Sequence, residues 1–232
     1  MMIPPITESL PKCEGFPKKN SQQNKKVNMS STQQATKNTI TLKGSSEIVA
    51  EFFHYGINSV LYQRGIYPPE TFTRKQQYGL TLLVSTDDKL KNYLSNVLTQ
   101  LKDWLNELIV QRVVLVVSSI DTGEVLERWQ FNIECDKTAK TENKPRQKSA
   151  EDINKGIKAV IRQITATVTF LPLLETACTF NLLFYTDKDQ DIPEEWEESG
   201  PSLIPNSQEV KLRSFTTSIH KVEAAVCYKN DD

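Results

Sequence analysis

The sequence is short of the residues that build active sites. Its 232 residues hold two histidines, His54 and His220, and four cysteines, Cys13, Cys135, Cys178 and Cys227, none of them in a CxxC pair. Protein zinc sites need closely spaced Cys and His ligands, so no metal is expected. The same scattered thiols, with no signal-peptide pattern ahead of them, point to a reduced, intracellular protein. Eight glycines form neither GxGxxG nor a P-loop, which removes the usual phosphate cradles, and no cofactor is expected. The longest unbroken aliphatic run, Val113–Val117, has five residues, whereas a membrane helix needs roughly 20. Net charge is only −1. Six Lys against Glu8 and Glu14 gather in residues 1–38, leaving −5 for the remainder, and Phe16 is the one aromatic among those lysines. Neither nucleic-acid binding nor membrane insertion is expected.

What is present begins with a tail. Residues 1–38 carry Pro4, Pro5, Pro11 and Pro17 and the polar text SQQNKKVNMSSTQQATKN, with too little apolar surface for a core. It reads as disordered, and Met29 is an alternative start. Thr39–Leu42 reads as a short strand. Ser45 reads as the N-cap of a first, largely buried helix, with Glu47 in its first turn. A second helix runs from Thr86 or Asp87 to about Leu108, with Leu90, Leu94, Val97, Leu101, Trp104 and Leu108 in one stripe. A buried strand VVLVVSSI, a turn at Asp121-Thr122-Gly123 and an alternating return strand to Cys135 make a hairpin, one side packed and the other wet. Ser149 opens a third helix that continues to Pro172. Residues 176–186 alternate Cys178, Phe180, Leu182 and Phe184 against Thr179, Asn181, Leu183 and Tyr185, a strand.

The chain is organised around its C-terminal stretch from Tyr185 to Tyr228. Between Asp187 and Glu198 seven acids face one base, with Trp196 among them. Strand-like text then returns, VKLRSFTTSIHKVEAAVCY from Val210 to Tyr228. A polar arm carrying a strand-forming segment at its far end suits a movable strap, whose departure would bare the preceding strand as a sheet edge. The plain alternative is an acidic loop followed by an ordinary hairpin. The fold expected is α+β, a mainly antiparallel sheet backed by three helices.

Long strings, among them GSSEIVAEFFHYGINSVLYQRGIYPPETF, GLTLLVSTDDKLKNYL, GEVLERWQFNIECDKTAK, VIRQITATVTFLPLLE and YTDKDQDIPEEWEESGP, resemble the HORMA-domain spindle-checkpoint family from about Thr39 to Tyr228. That resemblance implies a HORMA domain over 39–229 whose mobile C-terminal segment, about 187–229, is a safety belt. Open and closed states would differ in where the terminal hairpin docks. In the closed state a partner peptide would take the sheet edge of Cys178, Phe180, Leu182, Phe184 and Tyr185 while the belt encloses it. The belt would include Trp196, Phe215, Thr217, Ile219, His220 and Tyr228. Arg162, Gln163, Phe170 and Arg213 match positions where an open copy pairs with a closed one. Leu42 matches an N-terminal strand position that, with Trp104, sets the open–closed balance, although Trp104 also reads as plain core. The implied partners are the mitotic checkpoint scaffold at kinetochores, the coactivator of the anaphase-promoting complex, a second copy in an open/closed self-dimer, and a comet-type adaptor with its AAA+ remodelling ATPase. Nucleus, kinetochore and cytoplasm are the implied locations, and no enzymatic activity is implied. Two rival readings stay open: a HORMA adaptor of a translesion DNA polymerase, and a hydrolase using His220 with Cys178 or Cys227.

Overall fold

The computed structural model describes residues 40–137, 148–187, 193 and 196–229. The expected disordered tail and most of the acidic arm lie outside these residues.

Helix α1 is Leu42–Gln63. Its cap is Thr41, whose side chain accepts from the Gly44 N–H at 3.1 Å, and not Ser45. Ser45 is fully buried one turn further on, and Glu47 falls beyond the first turn. The strand expected at Thr39–Leu42 is also corrected: Ile40 and Thr41 lie in no strand, and Leu42 is the first helical residue. The Thr41 cap starts the helix at Leu42, which leaves no residue of that segment after Thr41 in extended backbone, and strand β4 (Val125–Cys135) is flanked by β3 and β7.

After α1 comes a hairpin that the sequence does not signal, β1 (Phe72–Gln77) and β2 (Leu80–Ser85), joined by two residues, Tyr78 and Gly79, both at positive φ. That is the backbone of a tight hairpin turn matched to strand twist. Tyr at positive φ is unusual, and here its ring packs edge-on to Tyr55 while its hydroxyl donates to Glu51 Oε1 at 2.6 Å.

Helix α2 spans Asp88–Glu107 with Asp87 as N-cap and Leu108 in the left-handed region closing it, and its buried stripe is the one expected from the sequence. Strands β3 (Val110–Ser119) and β4 pair antiparallel around the expected turn. Helix α3, Ala150–Thr167, is capped by Ser149, and its C-cap at Val168 precedes Pro172 by four residues. Strand β5 (Cys178–Thr186) pairs with β3. Strands β6 (Ser207–Thr216) and β7 (His220–Lys229) form the terminal hairpin.

The five-stranded sheet has the order β5-β3-β4-β7-β6, every pairing antiparallel. The hairpin therefore sits beside β4, three strands from β5. Phe215, Val222, Ala224 and Val226 join the core that Phe52, Phe53 and Phe131 build, with the Phe52 and Phe215 rings 4.7 Å apart. A Cβ on Gly156 of α3 would stand 2.9 Å from Phe215 Cβ, so only glycine lets the helix approach β6 this closely. The return strand β4 is less wet than expected. Glu127 is buried, paired with Arg64 and accepting from Trp129 Nε1, and Arg128 is 5% exposed on the other face. That second face carries its own apolar cluster of Val114, Val116 and Leu183.

Candidate functional site

Strand β5 ends the sheet, so one of its sides pairs with β3 and the other with no strand of that sheet. In an antiparallel ladder, residues alternate between those that aim N–H and C=O at the neighbour and those that aim them away. The Ile120 N–H donates to the Ala177 carbonyl and the Asp187 N–H to the Ile109 carbonyl, both at 2.9 Å. These two bonds fix the alternation: odd-numbered residues from Ala177 to Asp187 address β3. The backbone groups of Cys178, Phe180, Leu182 and Phe184 consequently face away from β3, and those of Cys178, Phe180 and Leu182 face the open side. Nine residues of strand make an edge of roughly 30 Å.

The side chains of Phe180, Leu182 and Phe184 are buried in the core, which holds this strand straight and in register. Cys178 is half-buried, its thiol donating to the Thr176 carbonyl at 3.2 Å, and burial pushes that thiol's pKa up. Tyr185 differs from these four. Its backbone addresses β3, and its ring lies on the second face with the Arg112 guanidinium 5.6 Å from its centre.

The strap leaves this strand at a fixed point. Asp187 accepts from Gln111 Nε2 at 2.6 Å and from Lys137 Nζ at 2.9 Å, and the lysine's bond holds its carboxyl below the usual range. Trp196 then packs against Trp104 and Phe184, with centroids 4.7 and 5.2 Å away. Trp104 is thus both core, at 3% exposure, and the seat of the strap's tryptophan. Further along, Ser202 borders a cleft of about 560 Å³ whose other walls include Tyr67, Val116, Ser118, Cys178, Thr179, Phe180 and Asn181. The strap and the open edge of β5 therefore face one another across a slot. A larger open cleft of about 830 Å³, lined by His54, Lys75, Lys91 and Lys102 among others, lies between α1, α2 and the β1–β2 hairpin, away from that edge.

The far end of the hairpin is held by a buried polar cluster. Ser45 Oγ lies 2.6 Å from His220 Nδ1 and 2.5 Å from Thr217 Oγ1, while His220 Nε2 is 3.2 Å from the Leu105 carbonyl in the last turn of α2. A carbonyl only accepts, so Nε2 carries the proton and Ser45 donates to Nδ1 of the neutral ring. Thr217 also receives the N–H groups of Ile219 and His220, which shapes the turn. Ile219 is 5% exposed, and the Asp136 N–H donates to its carbonyl at 2.9 Å. Burial pushes the His220 pKa down to about 4, with the Leu105 carbonyl opposing that shift. At the opposite end of β7, half-buried Tyr228 donates its hydroxyl to Gln208 Oε1 at 2.8 Å.

A surface on α3 and β6 gathers Arg162, Gln163 and Arg213, with Phe170 beyond them. A bulge between Lys211 and Ser214 frees the Arg213 N–H, which donates to Gln163 Oε1 at 2.6 Å. Exposed Arg162 neighbours that glutamine, exposed Arg213 faces it, and Phe170, 54% exposed, lies just past the end of α3. The hydrolase pairing, by contrast, is not assembled. His220 is fully buried with both ring nitrogens engaged, and β3 and β4 stand between it and Cys178. Cys227 neighbours Gln130 and Glu209 instead.

Residues 45–223 match the model of the HORMA domain. The chain is also 68% identical over 190 residues to the human mitotic spindle assembly checkpoint protein MAD2A, covering 82% of this chain and 93% of that protein. The chain belongs to the HORMA-domain family of mitotic spindle checkpoint proteins. The MAD2A of Dictyostelium discoideum is 60% identical over 84% of this chain and 96% of its own length. A chain of the crystal structure of the mitotic checkpoint complex matches with a TM-score of 0.73 and 46% identity, covering 81% of this chain and 99% of its own. This HORMA domain shares its fold with C. elegans HTP-2, whose structure bound to a HIM-3 closure motif superposes at TM-score 0.67 with 16% identity over 82% of this chain and 92% of that one. Drosophila DNA polymerase zeta subunit 2 is a distant relative, 26% identical over 62% of the chain and 71% of its own length. That distance sets the polymerase-adaptor reading behind the checkpoint one.

The site is legible in part from the sequence. Alternation of Cys178, Phe180, Leu182 and Phe184 marks the strand, but Ser202 at the cleft and Ser45 in the buried cluster carry no local signal of where they stand. Ser45 looks like a cap, and Thr41 fills that place.

Proposed function

We propose that this checkpoint protein is a two-state adaptor without catalytic activity, here in its closed arrangement. One observation carries the reading: the β6–β7 hairpin is docked on β4, so the backbone of Cys178, Phe180 and Leu182 is open to a further strand while the belt returns across the slot beside it. A partner segment adding itself to β5 gains main-chain hydrogen bonds, and its release requires the belt to unfasten. In the open state the hairpin would occupy β5 itself. Exchange breaks and remakes the β4–β7 ladder, so the two forms interconvert slowly.

The segments captured are those of the checkpoint scaffold at kinetochores and of the anaphase-promoting complex coactivator, so that capture restrains anaphase onset. The acidic belt suits a basic residue in such segments. Arg162, Gln163, Phe170 and Arg213 form the face on which an open copy meets a closed one, and a comet-type adaptor with an AAA+ ATPase reopens the closed form. Nucleus, kinetochore and cytoplasm are where these partners would be met. The 46% identity to a chain of the mitotic checkpoint complex supports this assignment.

Ion-exchange chromatography of the purified chain, alone and with a synthetic peptide of the scaffold segment, tests it. Two slowly interconverting species, the peptide collecting the protein into one, are expected. A single species unaltered by peptide would contradict the proposal.

A further inference from the structure

The cleft at the Cys178 end of the slot is not a featureless continuation of the strand edge. It wraps around Cys178–Asn181 from the helical face, where Ile66, Tyr67 and Phe180 line it, to the second face, where Val116, Ser118, Thr179 and Asn181 do. Its volume of about 560 Å³ falls within the range of sites that enclose a ligand group. Main-chain pairing needs only an edge, so an enclosed volume at one point of that edge serves side-chain recognition.

The chemistry of the enclosed part is specific. Asn181 Oδ1 is shielded from solvent and has no hydrogen-bond partner among the described residues. A buried acceptor left unpaired is costly, whereas a ligand donor that reaches it recovers the bond. Ser118, Thr179 and Ser202 add hydroxyls nearby, and Ile120, 60% exposed, stands at the mouth. Charge is disfavoured. The row running from Asn181 through Val116 reaches Arg128, a residue 5% exposed and two strand spacings, roughly 10 Å, from Asn181, and only beyond it Cys227 and Glu209. A cationic side chain would be repelled there, and a carboxylate has no proton for Oδ1.

Resting on the capture reading, we infer that this cleft is a specificity pocket that admits one side chain of the captured segment. That side chain is a neutral hydrogen-bond donor, a hydroxyl or a carboxamide, received by Asn181 Oδ1. Since Asn181 aims its backbone at β3, the pocket discriminates by side chain alone and leaves the main-chain pairing of Cys178, Phe180 and Leu182 untouched.

The test uses the full chain and a library of random twelve-residue peptides, sequenced after prolonged washing. The wild type should retain a pool enriched several-fold in Ser, Thr, Asn or Gln at one position. Asn181→Leu should lose that preference in favour of apolar residues while still retaining peptides with slow release. Asn181→Ser keeps an acceptor in less volume and should restore the preference for donors, which distinguishes lost recognition from a folding defect. Enrichment unchanged by Asn181→Leu, or a wild-type preference for charged or apolar residues throughout, would overturn the inference while leaving capture intact. Failure of the wild type to retain any peptide would instead overturn the capture reading, and this inference with it.

Discussion

Ser45 Oγ and His220 Nδ1 stand 2.6 Å apart across 175 residues of chain, in a cluster closed to solvent. The contact joins the first turns of α1 to the tip of the terminal hairpin, and it exists only while that hairpin lies on β4. Ser45→Ala leaves the imidazole acceptor and Thr217 without their shared partner, at a cost of about 1–3 kcal/mol. A lower urea midpoint with an unchanged slope is expected, together with a larger fraction of the second species on ion exchange. An unchanged midpoint would mean that the cluster contributes nothing to hairpin docking.

The same histidine makes the fold sensitive to acid. His220 has its pKa pushed down to about 4 by burial, against an ordinary value of 6.5. Between these limits the unfolded chain binds a proton that the folded chain refuses, so stability rises with pH through that window and is lost as pH falls through it. The loss attributable to His220 is about 3 kcal/mol by pH 4. Thermal melts from pH 7 to 4 on the wild type and on His220→Gln should converge as the pH falls, because only the wild type loses this contribution. Parallel profiles would contradict it.

Arg162→Glu reverses a charge on an exposed part of α3 beside Gln163, the residue that accepts from the Arg213 N–H. Stability should change by no more than about 0.5 kcal/mol, as for other surface substitutions. Self-association, read by sedimentation velocity, should weaken several-fold. An unaltered dimer fraction would remove Arg162 from the pairing face.

Elements with strong local periodicity are readable from the sequence. The stripe from Leu90 to Leu105 marks α2, that from Ile153 to Ile164 marks α3, and alternation marks β4 and β5. The features that escape depend on contacts distant in the chain. Tyr78 at positive φ is tolerated because Tyr55 and Glu51 of α1 receive it, so the β1–β2 turn lacks an Asn-Gly signature. Ser45 resembles a cap because the long-range partners of its hydroxyl leave no local trace. Leu42 sits in β-branched text, yet the Thr41 cap starts the helix there and makes it the first helical residue. The buried pair Arg64 and Glu127 looks like solvated charge for the same reason. Where the hairpin docks is the least local fact of all, since the order β4-β7 joins segments some ninety residues apart.

Amide exchange along β5, resolved residue by residue by NMR, tests the capture of a partner strand most directly. In the chain alone, the N–H groups of Thr179, Asn181, Leu183 and Tyr185 should be protected by β3, whereas those of Phe180 and Leu182 exchange freely. Saturating scaffold peptide should bring the second set to the protection of the first. Protection of Phe180 and Leu182 that is already complete without peptide, or that stays absent with it, would contradict capture at this edge.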